Sequence, residues 1–123
     1  MCGINNLGNQ DSVESCVKDY EELVSRVQSV LNPGKTIVLS VMPVRESTVH
    51  QKGHQVNKDV ASFNHELESL CKRHQAQFVD VTASVADESG TLAPALTVDG
   101  LHLNLQGYRR VAMVLSNVLS KVN

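Results

Sequence analysis

The residues best suited to chemistry in this 123-residue sequence lie in one segment, Thr97–Tyr108. Asp99 and His102 are three residues apart in it, a spacing at which the carboxylate can fold back onto the imidazole. A carboxylate placed there fixes the tautomer of the ring and stabilises an imidazolium, as the general base of a Ser-His-Asp hydrolase requires. The same spacing also occurs by chance in polar turns before helices, and Asn104 is a suitable N-cap for a following helix. The pair alone therefore leaves two interpretations open, a catalytic base or a polar turn.

A second polar segment lies near the other end of the chain, where Gly3 and Asn5 form a G-x-N pattern. Together with the D-G-L-H-L-N-x-x-G-Y segment that begins at Asp99, this pattern resembles the third and fifth conserved blocks of the SGNH (GDSL-type) hydrolase family. The order of the two blocks and the helices and strands expected between them are also similar to that family. The resemblance covers nearly the whole chain.

The resemblance implies a role for five residues of the two blocks. Asn5 would donate its side-chain amide to the oxyanion of a tetrahedral intermediate. His102 would act as general base and then as general acid, and Asp99 would orient it. Gly3 would let the backbone approach the substrate, and Asn6 is grouped with Gly3 as a binding residue. The implied substrate is a small ester, and neither a cofactor nor a metal is expected.

One part of the family pattern is missing from the sequence. SGNH hydrolases carry a nucleophilic serine in a G-D-S motif and an oxyanion-hole glycine, both ahead of the G-x-N block, and this sequence begins at that block. Ser89 does not lie in such a motif. Cys2 is an alternative nucleophile, but a reactive thiol needs a lowered pKa and a placed base, and the sequence indicates neither. We therefore expect a single partial SGNH-hydrolase-like domain over residues 1–123, with weak or no activity of its own.

Hydrophobic periodicity predicts the elements that would position these residues. Asp11 and Glu14 resemble a capping box at the start of the first helix. A β-branched run over 36–42 is typical of a strand covered on both faces. A second, shorter strand is expected over 78–81. Helices are expected over 11–31, 56–71 and 105–122, and irregular segments over 1–10, 44–54 and 82–97.

This alternation of helices and strands indicates an α/β fold. The resemblance specifies a three-layer SGNH (flavodoxin-like) architecture, truncated at the N-terminus, with a small parallel sheet and flanking helices. Two strands make a marginal sheet, and an open apolar strand edge tends to pair with another chain. We therefore expect a homo-oligomer, most simply a two-fold dimer that joins two small sheets.

Composition excludes several other classes of function. A net charge of −2, only 3% aromatic residues and no Trp argue against nucleic-acid binding. The longest apolar runs are too short to span a membrane. Three widely spaced cysteines argue against a disulfide framework and favour a cytoplasmic setting, with Cys16 and Cys71 as buried hydrophobes. His50 and His54 are four residues apart, but Gly53 argues against a helix there, so metal binding is not expected.

Two functional interpretations remain open. In the first, the chain is an SGNH-type ester hydrolase whose catalytic residues are Asn5, Asp99 and His102. In the second, it is a non-catalytic, oligomeric SGNH-like structural or interaction module, in which His102 only supports a turn. The positions of Asn5 and His102 discriminate between them. If Asn5 and His102 share one cleft, the form of the site is preserved. If they lie on opposite sides of the molecule, catalysis by this pair is excluded.

Overall fold

The computed structural model describes residues 3–9, 11–46 and 56–120, which form helices around a two-stranded sheet. Strands β1 (Ile37–Leu39) and β2 (Gln77–Val79) are parallel, with Ile37 opposite Gln77. Short 3-10 turns follow α2 and precede α5, at Pro33–Lys35 and Pro94–Leu96. The α-helices of the described residues are α1 (Ile4–Gly8), α2 (Val13–Val30), α3 (Val56–Arg73), α4 (Thr82–Val85) and α5 (Leu105–Leu119).

The sheet is covered on both faces, which gives three layers. Alternate residues of a strand point to opposite faces, and β1 follows this rule. Val38 belongs to the core built with α2 and α3, whereas Ile37 and Leu39 pack on the core built with α4 and α5. The first core is centred on side chains with no solvent exposure, namely Phe63, Leu67 and Leu70. The predicted α/β class with a small parallel sheet and flanking helices is confirmed.

The first ten residues differ from the prediction, because α1 occupies part of the segment expected to be irregular. Ile4 and Leu7 are spaced for one helix face, and Leu7 is buried in the first core. Burial of that face stabilises a helix that its Gly- and Asn-rich composition does not favour. The cap of α2 also differs. Ser12, one residue after Asp11, accepts the backbone N–H of Ser15 at 3.1 Å and is the N-cap.

Strand β1 is shorter than the predicted 36–42, because two asparagine side chains of α3 hydrogen-bond to the backbone that follows the strand. Asn64 accepts from the N–H of Val41 at 2.7 Å and donates to its carbonyl at 2.8 Å. Asn57 makes the same pair of bonds to Val44, at 2.7 and 2.8 Å. These side-chain amides replace a neighbouring strand and fix the segment 41–44 against α3. That segment forms one wall of the site described below.

The second half of the chain departs from the predictions in smaller ways. Strand β2 ends at Val79, since the N–H of Val81 bonds to the hydroxyl of Ser40 at 2.9 Å instead of continuing the ladder. The connection expected to be irregular over 82–97 contains α4 and a 3-10 turn. Cys16 and Cys71 are buried as predicted, and burial raises the pKa of both thiols.

Some sequence-based expectations concern residues that the structure does not describe. Cys2, His50, Gly53 and His54 lie outside the described ranges. Within 3–9, 11–46 and 56–120, no three His, Cys, Asp or Glu side chains are grouped closely enough to hold a metal ion. None of the helices in the described part of the chain has the length and apolar character needed to cross a bilayer.

Candidate functional site

Asp99 and His102 are in direct contact. The Oδ2 atom of Asp99 lies 2.6 Å from Nδ1 of His102. The other carboxylate oxygen, Oδ1, accepts the backbone N–H groups of Leu101 at 2.9 Å and His102 at 2.7 Å. Gly100 makes the intervening turn with φ of +88°, a conformation that favours glycine. The carboxylate is therefore held by the backbone on one side and oriented toward the imidazole on the other.

Two further residues hold this loop in place, and neither was predicted from the sequence. The hydroxyl of Thr97 donates to the carbonyl of His102 at 2.7 Å and accepts the N–H of Gly100 at 2.9 Å. The backbone N–H of Arg45 donates to the carbonyl of Gly100 at 2.8 Å. A Thr two residues before an Asp is a local turn signal that could have identified Thr97. The bond from Arg45 joins segments 55 residues apart in sequence, so no local signal could have identified it.

The electrostatics of the pair fix its protonation pattern. The backbone N–H of His102, then its ring, then the N–H of Leu101 lower the pKa of Asp99 from 3.8 to about 2. An ionised carboxylate can only accept hydrogen bonds. Nδ1 of His102 must therefore carry the proton in their contact, which leaves Nε2 of the neutral ring as the basic nitrogen. The His102 side chain is 68% exposed, so that nitrogen is accessible.

The lowered pKa of Asp99 predicts a specific dependence of stability on pH. The folded-state pKa lies below the unfolded value of 3.8, so the ionised carboxylate stabilises the fold above about pH 4. That contribution is lost as pH falls from about 4 to about 2. We expect the wild type to have a higher urea midpoint than Asp99→Asn at pH 5, and this difference to shrink as pH falls from about 4 to about 2. A difference that persists at pH 2 would contradict this assignment.

Helix α1 contributes to the lining of a cleft beside His102. Asn5 and His102 both line this cleft, which has a volume of about 170 Å³. The rest of the lining is mainly apolar, and it includes Tyr108 of α5. The apolar lining consists of Ile4, Val41, Met42, Val44, Leu101 and Leu103. Asn5 and His102 thus share one small, mainly apolar cleft, with Asp99 bonded to the His102 ring.

Gly3 and Asn6, the two predicted binding residues, lie elsewhere. Both line a separate depression with Tyr20 and Phe63. The amide nitrogen of Asn6 donates to Oδ2 of Asp11 at 3.1 Å. Gly3 has φ of +116°, and a methyl group on it would come within 2.9 Å of the Phe63 ring. The structure therefore brings Asn5, Asp99 and His102 together and places Gly3 and Asn6 outside the cleft.

The described part of the cleft lining contains neither an aliphatic hydroxyl nor a thiol. Tyr108 provides the one hydroxyl of any kind among these described lining residues. Ser89 is bonded to Asp87 and is not part of the lining. The described cleft lining therefore combines an imidazole with a side-chain amide but contains no serine or cysteine.

The helix that follows the loop begins as predicted. Oδ1 of Asn104 accepts the N–H groups of Gln106 at 3.0 Å and Gly107 at 3.1 Å, which confirms it as the N-cap of α5. Its amide nitrogen also donates to the carbonyl of Ala95 at 2.8 Å. One side chain thus caps the helix and ties it to the 3-10 turn at Pro94–Leu96.

We expect Gly107→Ala to destabilise the protein, although alanine is the better helix former by about 1 kcal/mol. A methyl group at Gly107 would lie 2.6 Å from the backbone carbonyl oxygen of Leu96 and 2.9 Å from Cδ2 of Leu103. Overpacking against a backbone atom costs about 3 kcal/mol, so the net loss should be about 2 kcal/mol in urea unfolding. The control is Gly34→Ala, where the nearest atom would be 3.6 Å away. Equal stability of the two variants would contradict the close approach.

Comparison with known proteins places the chain in a family. The model of the GDSL-like lipase/acylhydrolase family matches residues 1–110. The platelet-activating factor acetylhydrolase IB subunit alpha2 of chicken (Gallus gallus) is 28% identical over 121 residues. A platelet activating factor protein of Streptococcus pneumoniae has a similar fold, with a TM-score of 0.84 and 27% identity. An acylhydrolase of Bacteroides fragilis has the same TM-score at 20% identity, which indicates a shared fold.

These relatives are longer than the present chain. The alignments cover 97% or 98% of this chain, but 50% of the chicken protein, 57% of the streptococcal protein and 59% of the B. fragilis protein. The chain therefore spans about half of the length of the relatives it matches. The family model nevertheless covers most of the chain, including Asn5, Asp99 and His102. The chain belongs to the GDSL-like lipase/acylhydrolase family.

Proposed function

We propose that this chain carries the base and one oxyanion donor of an acyl-ester hydrolase. The observation that supports this most strongly is that Asn5 and His102 line the same cleft, with Asp99 bonded to the ring of His102. A structural turn would not need an exposed histidine that lines the same mainly apolar cleft as a side-chain amide.

In the proposed reaction, Nε2 of His102 removes the proton from the attacking group and later returns it to the leaving alcohol. Asp99 keeps the ring in the required tautomer and stabilises the imidazolium. The amide of Asn5 stabilises the negative charge that develops on the ester oxygen, a contribution of about 100–1000-fold in rate for one such donor. The apolar lining would accept a short acyl group.

The attacking group is the part of the site that the described residues do not provide. With the chain alone, His102 can still activate water, and we propose slow hydrolysis of small activated esters. A rapid reaction through an acyl-enzyme would need a nucleophile from outside the described residues. The name of the chicken relative describes an acetylhydrolase, so acetyl esters are the first substrates to test.

The second candidate function is a non-catalytic interaction module. The absence of an aliphatic hydroxyl or thiol from the described cleft lining favours it. In that case the Asp99–His102 contact would only stabilise the loop before α5. The two candidates differ in whether ester hydrolysis depends on His102.

Hydrolysis of p-nitrophenyl acetate by the purified chain tests the proposal. We expect His102→Ala to lower the protein-dependent rate by about 100-fold, near the lower end of what a general base contributes. The control is His65→Ala, because His65 is exposed on α3 and does not line the cleft. It should retain the wild-type rate. Equal rates for the wild type and His102→Ala would reject the hydrolase and favour the interaction module.

A further inference from the structure

A series of hydrogen bonds connects helix α3 to the loop that carries His102. The side-chain amide of Asn57 accepts the N–H of Val44 at 2.7 Å and donates to the carbonyl of Val44 at 2.8 Å. The next residue, Arg45, donates its backbone N–H to the carbonyl of Gly100 at 2.8 Å. Gly100 lies two residues before His102. We call this series, from Asn57 through residues 44 and 45 to Gly100, the α3 link.

The α3 link differs from the local hydrogen bonds that the loop makes. The Thr97 hydroxyl and the Asp99 carboxylate bond to groups of the same loop, including the backbone of His102. Such bonds fix the shape of a loop but not its orientation relative to the rest of the fold. Leu101 packs against the first core, but apolar contacts are non-directional, whereas hydrogen bonds are directional. The bond from Arg45 therefore orients the loop.

Helix α3 also supports the other functional group of the cleft. Asn5 lies on α1, and Leu7 of the same helix is buried in the first core together with Phe63 of α3. The two helices are in direct contact. The helix that carries Asn5 therefore packs against α3, and the loop that carries His102 is bonded to α3 by the α3 link. The separation of the amide and the imidazole thus depends on one helix.

We propose that Asn57 is a positioning residue for His102, an inference that rests on the proposed function. Asn57 is not among the described residues that line the cleft. It acts through the α3 link, which orients the imidazole relative to the amide of Asn5. A displacement of about 1 Å between reacting groups can lower a rate about 100-fold. Because the contact between Asp99 and His102 is local, loss of the α3 link should displace this pair without breaking it.

Asn57→Ala tests the proposal in the full 123-residue chain. The exchange removes the side-chain amide but keeps the backbone N–H that donates to Oε1 of Glu46 at 2.9 Å. We expect kcat for p-nitrophenyl acetate to fall about tenfold and KM to change by less than about twofold. The His102 ring should stay protonated on Nδ1, because Asp99 still accepts that proton. An unchanged kcat, or a loss that lies entirely in KM, would overturn the proposal.

Asn64→Ala is the matched control, because Asn64 makes the same pair of bonds from the same helix, to Val41 at 2.7 and 2.8 Å. Val41 also follows Ser40, whose N–H donates to the carbonyl of Val79 at 3.0 Å. The α3 link stays complete in this variant, so kcat should remain within about twofold of the wild type. Circular dichroism and urea unfolding check that both variants are folded. Equal falls in kcat would indicate a general loosening around α3 and overturn the proposal.

A second measurement needs no enzymatic activity. In the NMR spectrum of the wild type, the bond from Arg45 to Gly100 should give a scalar coupling between the amide nitrogen and the carbonyl carbon. Hydrogen exchange of the Arg45 amide should become about tenfold faster in Asn57→Ala and should stay unchanged in Asn64→Ala. A missing coupling in the wild type, or equal exchange in the wild type and both variants, would overturn the proposal.

The outcomes separate this proposal from the proposed function. Hydrolysis that depends on His102 but has the same kcat in the wild type and Asn57→Ala would reject the positioning role and leave the hydrolase intact. Faster exchange of the Arg45 amide in Asn57→Ala alone, in a chain whose hydrolysis does not depend on His102, would support the α3 link as what orients the loop and reject the hydrolase.

Discussion

Replacing Asp99 by asparagine is expected to reduce ester hydrolysis to the level of the His102→Ala variant. The exchange keeps the size of the side chain but replaces an acceptor-only carboxylate with an amide that can also donate. Nδ1 of His102, 2.6 Å from Oδ2 of Asp99, would no longer be required to carry the proton. In a Ser-His-Asp site, loss of the correct tautomer lowers kcat although the geometry is preserved. We therefore expect the loss to match the fall of about 100-fold expected for His102→Ala.

The tautomer itself can be measured by ¹⁵N–¹H correlation spectroscopy of the histidine ring. We expect the neutral ring of His102 to be protonated on Nδ1 in the wild type and to contain a substantial Nε2-protonated fraction in Asp99→Asn. The control is Asp19→Asn, because Asp19 is an exposed residue of α2 and does not contact His102. An unchanged ring spectrum and rate in Asp99→Asn would show that Asp99 does not orient the base.

The second large effect is expected for Phe63→Ala, which should lower the free energy of unfolding by about 4 kcal/mol. Phe63 has no solvent exposure, and its ring meets that of Tyr20 edge to face at 5.8 Å. Removing the ring would lose its transfer free energy and leave a cavity between α2 and α3. Because a typical domain is stable by only 5–15 kcal/mol, this is a large fraction of the total.

Phe63→Leu is the matched variant, since it keeps most of the buried volume and should cost less than about 2 kcal/mol. Urea unfolding at pH 7 measures both variants. The alanine variant should also loosen α1, because Gly3 lies against the Phe63 ring and α1 carries Asn5. A cost below 1 kcal/mol for Phe63→Ala would mean that the ring does not support this part of the core.

The local features of the site could be predicted from the sequence. The spacing of Asp99 and His102 is enough for a contact within one turn, and Asn104 caps the next helix through bonds to residues two and three positions later. Each of these interactions depends on a few consecutive residues. The resemblance that followed from them is also confirmed, since the family model covers residues 1–110.

The features that were missed depend on tertiary contacts. Asn64 and Asn57 look like ordinary polar residues of a helix. Their side-chain amides nevertheless bond to the backbone after β1, Asn64 to Val41 and Asn57 to Val44. Helix α1 forms because Leu7 is buried, a gain that local composition does not reveal. The position of Asn6 outside the cleft follows from the direction of α1, which only packing determines.

The most direct test of whether Asn5 and His102 act on the same ester carbonyl is a titration with a product anion. Sodium acetate should shift the side-chain amide signals of Asn5 and the ring signals of His102 along one binding curve, relative to sodium chloride at equal ionic strength. Asn5→Ala should weaken the response of His102. Responses with different midpoints, or a response of one residue alone, would contradict a shared site and leave the chain without the arrangement that acyl transfer requires.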